Sequence, residues 1–127
     1  MAEEVKKFDL EERLIAFSLS VITIAEMLPK TQTGNYIANQ VLRSGTSPAL
    51  NYGEAQVAES REDFIHKMKI CLKELKETSV SLQLIKRKPL ITSESTIDAV
   101  IKECAELISI FVKSIETARK NKVLQTT

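Results

Sequence analysis

"RSGTSPALNYGEA", Arg43 to Ala55, is the stretch on which the reading of the whole chain turns. It holds Gly45 and Gly53, Ser44 and Ser47, Thr46, Pro48, Ala49 and Ala55, and its one bulky aliphatic residue is Leu50. A run so poor in bulk can be an active-site loop, a linker, or a helix that passes very close to a neighbour. As a loop, Ser44–Ser47 would end one element, and Ser47 would cap a new helix with Pro48 in its first turn. As a helix, the rod would run through and kink at Pro48, whose ring meets the carbonyl of Ser44 and removes one hydrogen bond. Small side chains at Ser44, Gly45, Ser47 and Ala49 would then admit a partner backbone. Local pattern leaves both readings open.

The flanks are helical. Leu10, Leu14, Phe17, Val21, Ala25 and Leu28 step by four and three, one face of a helix expected over 9–28 and stopped by Pro29. Ile15, Leu19 and Ile22 form a second stripe about 100° away, so this helix is expected to touch two sets of neighbours. A third segment opens with Ser60 and Asp63, spaced as a capping box with a shorter acid, and Glu62 adds favourable charge near the helix start. Its seam of Phe64, Met68, Cys71, Leu75, Thr78 or Ser79, Leu82 and Ile85 predicts a helix over 61–87 lying nearly parallel to a partner. Basic Lys86-Arg87-Lys88 and then Pro89 close it. Thr92 or Ser93 can cap a fourth helix over 93–119, with Ile97, Val100 or Ile101, Cys104, Leu107 or Ile108, Phe111 and Ile115 facing inward; 120–127 is expected to fray. Three strong helices of ~30–40 Å want a fourth, and 35–59 is the candidate.

Composition agrees. At 127 residues with 43% hydrophobic content, the chain fits one domain, 1–127, with a sizeable core. Three Gly, three Pro and no Trp favour long uninterrupted elements. No apolar run reaches the ~20 residues of a membrane span, and the acidic start lacks a secretory pattern. A cytoplasmic protein with no membrane partner is the expectation. Cys71 and Cys104 lie on apolar stripes and are expected as reduced core thiols. Net charge is +1, yet residues 60–90 hold eight bases against four acids.

Chemistry is sparse. Helix bundles that bind two metals use paired Glu-x-x-His motifs, whereas this chain has one histidine, His66, preceded by Asp63. No Cys-x-x-Cys, nucleophile elbow or phosphate-cradling Gly-rich loop is present. No catalytic, metal or cofactor-binding residue is expected, and a metal-dependent or hydrolytic enzyme is the weakest reading. Lys69, Lys73 and Lys76 recur by four and three, with Gln83 and Arg87 following on the same side. This cationic ridge is either a solvated face, neutralised by pairs such as Asp63–Lys67 and Lys73–Glu77, or a contact for the backbone of RNA or DNA. No aromatic side chain falls on it, so base-specific readout is not expected.

Residues Asn39 to Ile85, "NQVLRSGTSPALNYGEAQVAESREDFIHKMKICLKELKETSVSLQLI", closely resemble a bacterial four-helix bundle family first noticed as reading frames in 23S rRNA intervening sequences. Gln40, Leu42-Arg43-Ser44-Gly45-Thr46-Ser47, Asn51, Glu54-Ala55, Ser60, Asp63-Phe64, Lys67, Leu72-Lys73-Glu74 and Glu77 carry the likeness. The first helix fits as well, so the resemblance covers roughly residues 8–115. Pro48, in place of the usual aliphatic residue, and the lack of a first-helix Trp are departures. The resemblance implies an all-α, antiparallel up-down-up-down left-handed four-helix bundle that assembles as a homo-oligomer, typically a pentamer. It also implies that the second helix packs tightly through its small residues. Within that frame Asn51 and Glu54 look like a buried polar pair that Arg43 neutralises. Relatives that serve diversity-generating retroelements engage a reverse transcriptase and nucleic acid. The expected role is a non-enzymatic adaptor or scaffold that binds nucleic acid weakly through Lys69, Lys73, Lys76 and Arg87; a protein-only scaffold is the alternative.

Overall fold

The computed structural model describes the backbone of residues 2–126 and the side chains of residues 10–121. Four helices follow one another: α1 (Ala2–Met27), α2 (Gln32–Gln56), α3 (Arg61–Arg87) and α4 (Glu94–Thr126). Among the described residues there is no strand.

Arg43 to Ala55 is helical throughout, and α2 is continuous through Pro48. It begins at Gln32, ahead of the expected 35, because Thr31 takes an extended backbone and its hydroxyl accepts the Gly34 N–H at 3.0 Å. Gly34 is buried, and a side chain there would collide with the Pro29 carbonyl, so the tight α1–α2 turn demands glycine. The helix stops short of the expected 59, the Val57 N–H turning to the Glu54 carbonyl at 3.2 Å. Ser60 caps α3 as the capping-box spacing predicts, its hydroxyl accepting the Asp63 N–H at 3.0 Å. At the start of α4 the Ser93 carbonyl accepts from Ile97 N–H at 3.3 Å, which singles out Ser93 over Thr92. α1 starts before the apolar stripe that suggested residue 9, and the expected frayed tail falls largely outside the described side chains.

Each helix packs on its chain neighbours, and α4 closes back on α1 over a shorter stretch. Ser44 meets Thr78, Pro48 meets Cys71 and Glu54 meets Lys67, so α2 and α3 run in opposite directions. Leu75 with Cys104 and Lys86 with Asp98 give the same reversal between α3 and α4. Arg13 clasps the α1–α4 edge, its Nε and Nη2 donating to Glu103 at 3.0 and 2.6 Å and Nη2 reaching Glu106 at 3.3 Å.

The core is the meeting of four apolar stripes. Leu14, Phe17, Val21 and Ile24 enter from α1, Val41 and Tyr52 from α2, Met68, Cys71, Leu75, Leu82 and Ile85 from α3, and Cys104, Leu107 and Phe111 from α4. Burying each large side chain is worth ~1.5–3 kcal/mol, which makes this cluster the main source of stability. Tyr52 lays its ring edge-on against Phe111, with centroids 6.0 Å apart and planes at 81°, tying α2 to α4 across the centre. Ile24 joins the core although the first-helix stripe did not include it, and Ile65 is more deeply buried than Phe64. Of the two candidates on α3, Thr78 takes the seam position and is fully buried.

Candidate functional site

The residues that single out this sequence gather along the α2–α3 seam and on the outer face of α3. Small side chains set the seam's closeness. Gly45 turns toward α1, where an added Cβ would lie 2.5 Å from Val21 Cγ1 and 2.9 Å from Cγ2. On the α3 side Ser44 is 1% exposed, and its hydroxyl accepts from Thr78 Oγ1 at 2.9 Å. The same Thr78 hydroxyl lies 2.8 Å from the Glu74 carbonyl. Near the proline, Asn51 Nδ2 donates to the Ser47 carbonyl at 3.1 Å and to Ser47 Oγ at 2.8 Å. The Cys71 thiol donates to the Pro48 carbonyl at 3.5 Å. The Ser47 and Pro48 carbonyls beside the proline thus each receive a side-chain donor, one from α2 and one from α3.

The expected Arg43–Asn51–Glu54 cluster does not form. Arg43 reaches across to α3, where Nη1 donates to Glu74 at 3.0 Å and Nη2 to Glu77 at 2.7 Å. Its pKa is raised, first by the hydrogen bond to Glu77 and then by the charge of Glu74. Glu54 is exposed rather than buried and pairs with Lys67 at 3.5 Å. Asn51 turns to Ser47. The counterions of Arg43 stand on α3 and not along α2. The available signal was the Glu74/Glu77 spacing of three, which puts both acids on one side of α3.

The ridge is placed as expected. Lys69, Lys73, Lys76 and Arg87 are all exposed on the outer face of α3. Among the described residues none of the four has an ion-pair partner; Arg87 Nε donates to Gln83 Oε1 at 3.1 Å. The two neutralising pairs offered by the sequence are not made, because Arg43 engages Glu77 and Glu54 engages Lys67. The ridge also carries Val80 and Leu84, which are 62% and 51% exposed. On the far side of the bundle, Ile15 and Leu19 of α1 are exposed, and Ile22 is half-buried at a hollow it shares with Ala38 and Leu42 of α2. Beside Ile22 on α2 lies Leu42, also exposed.

Both thiols are deep in the core. Burial pushes Cys71 and Cys104 up to about 12, and Cys104 donates to the Leu75 carbonyl at 3.3 Å. Among the described residues no group of His, Cys, Asp and Glu is placed to hold a metal ion, and no helix is long and apolar enough to cross a membrane. An open surface hollow of about 420 Å³ lies between α1 and α4 and is lined by Ser20, Thr23, Ser95, Thr96, Ala99 and Val100.

Four helices packed through a small-residue seam, with a cationic outer face on α3, define an all-helical bundle protein. The chain belongs to the 23S rRNA-intervening sequence protein family, which it matches over residues 6–113. A crystal structure from Bacteroides thetaiotaomicron, of a protein with unknown function from the S23 ribosomal protein family, is similar. The two share 32% identity and a TM-score of 0.77 over 84% of this chain and 97% of the other. No curated protein matches. Neither the family's description nor that of the solved relative names an activity.

Proposed function

We propose that this protein is a non-enzymatic adaptor that self-associates and holds the backbone of RNA or DNA on the outer face of α3. The observation that carries the reading is the ridge of Lys69, Lys73, Lys76 and Arg87, exposed and without counterions among the described residues. Their potential acidic partner Glu77 is held by Arg43, so the seam network keeps the ridge's charge available. Four point charges on one helix face suit phosphates and give weak, sequence-independent affinity.

Self-association is supported by the outer stripe of α1, where Ile15 and Leu19 leave apolar surface in water that a second copy would cover. A homo-oligomer, with the pentamer expected from the family resemblance, would repeat the ridge once per subunit and multiply its affinity. Such an assembly could present nucleic acid to a reverse transcriptase or another enzyme.

The test is fluorescence polarisation with a labelled mixed-sequence RNA at ~50 and ~200 mM salt. Binding should weaken steeply as salt rises and collapse in the Lys69→Glu, Lys73→Glu double variant. Absence of binding at the lower salt would leave the protein-only scaffold in its place.

A further inference from the structure

The ridge ends beside an aromatic residue that belongs to a different helix. Tyr36, in the first turns of α2, is 63% exposed. Its position follows from the α2–α3 register. Arg43 stands opposite Glu77, at 2.7 Å. Seven residues are close to two helical turns, so stepping back seven from Arg43 and forward seven from Glu77 keeps each helix face almost unchanged. Those steps land on Tyr36 and Leu84. Because the two helices run in opposite directions, Tyr36 lies opposite Leu84 at the outer edge of the seam, ~10 Å along from the Arg43 network. Leu84 is half-exposed, Val80 one turn before it is 62% exposed, and Arg87 and Lys88 follow within a turn.

We infer that Tyr36, flanked by Leu84 and Val80, is a stacking platform for an unpaired base of a single-stranded nucleic acid whose backbone follows Lys69, Lys73, Lys76 and Arg87. The inference rests on the ridge reading above and adds the form of nucleic acid that is recognised. An exposed ring with apolar neighbours offers a base face, and the lysines offer charges for the adjoining phosphates. A duplex keeps its bases stacked inside and cannot use the ring, so the site discriminates by strandedness rather than by sequence. Charge complementarity commits the patch to this occupant: its apolar part is continuous with cations that have no acid partner among the described residues.

The test compares a fluorescein-labelled single-stranded oligo(U) 12-mer and a duplex RNA of equal length, by polarisation at fixed low salt. Tyr36→Ala is expected to weaken the single strand about tenfold and leave the duplex unchanged, with Tyr36→Phe close to wild type because the ring is what stacks. Circular dichroism controls for folding; the exposed position predicts no change. A second readout is intrinsic fluorescence. The chain has two tyrosines and no Trp, so in a Tyr52→Phe background Tyr36 alone emits, and oligo(U) should quench it.

Equal loss on both RNAs, or no loss on either, overturns the platform while salt-sensitive binding through Lys69 and Lys73 still stands. A fall in light-scattering mass in Tyr36→Ala would show that the patch joins two copies of the chain, which also overturns it. No binding of wild type to either RNA removes both readings together.

Discussion

At the scale of single residues, glycine has two different meanings within one helix. Gly45 is required by contact: a methyl group there would meet Val21, a β-branched side chain that is fully buried and has no room to turn away. Gly53 meets nothing within 4 Å and lies on the exposed face. Replacing each by alanine therefore has opposite expected signs. Gly53→Ala should raise stability by ~0.5–1 kcal/mol, the ordinary helix-propensity gain. Gly45→Ala gains the same propensity but must push α1 and α2 apart, for a net loss of ~1–2 kcal/mol. Urea titration of the two variants reads the difference, and a stabilised Gly45→Ala would remove the close-approach account of the seam. The thiols follow the same logic of confinement. With pKa values raised to about 12 by burial, Cys71 and Cys104 should resist a thiol reagent at pH 8 in the native protein and react fully in denaturant. The linked stability effect has a definite sign. A thiol whose pKa is raised on folding gives its full contribution below its unfolded value near 8.5. That contribution falls by about 1.4 kcal/mol per pH unit as pH rises from there toward 12, because the unfolded state has already released the proton.

At the scale of helices, what was legible depended on whether one chain segment held the whole signal. The α3 seam was readable because steps of four and three persist from Met68 to Ile85, and all of Met68, Cys71, Leu75, Leu82 and Ile85 are buried. Between Thr78 and Ser79 the periodicity gave no choice; the choice is made by Ser44 on another helix, which offers a hydroxyl at 2.9 Å. α2 was ambiguous for a related reason. Glycine and proline weaken its own helical preference, and the packing that overrides them comes from Val21, Thr78 and Cys71, which lie far away in sequence. Arg43 was correctly singled out but given the wrong counterion, since periodicity fixes faces and does not fix the register between helices. The Ser44–Thr78 pair tests that register. Thr78→Val alone should cost ~1–3 kcal/mol by stranding a buried Ser44 hydroxyl, whereas adding Ser44→Ala should cost less than the two single changes summed. A double-mutant cycle by chemical denaturation measures the coupling; simple additivity would mean that the hydroxyl pair contributes nothing to how α2 sits on α3.

At the scale of the whole molecule, the bundle has two opposite faces with different chemistry. α3 presents cations, and α1 presents Ile15 and Leu19 with Ile22 half-buried beside them. Leu42 of α2 extends that apolar surface. Inside a single chain these side chains contribute little, because they stay in water; covered by a second copy, each could add burial worth up to ~1.5–3 kcal/mol. Substituting them should consequently separate assembly from folding. The Ile15→Glu, Leu19→Glu double variant places two like charges in the contact on each copy, so association is opposed by repulsion as well as by desolvation. Wild type is expected to scatter light as a multiple of 14.2 kDa, and the variant as a single 14.2 kDa chain. Its far-ultraviolet dichroism and urea midpoint at high dilution should stay near those of wild type, since exposed positions tolerate such changes within about 0.5 kcal/mol. The opposite result is equally informative. A wild-type chain that scatters as 14.2 kDa at micromolar concentration would mean that the apolar stripe is covered by something other than this protein. A variant that loses its helicity would mean that Ile15 and Leu19 support the bundle itself, against the exposure seen for both.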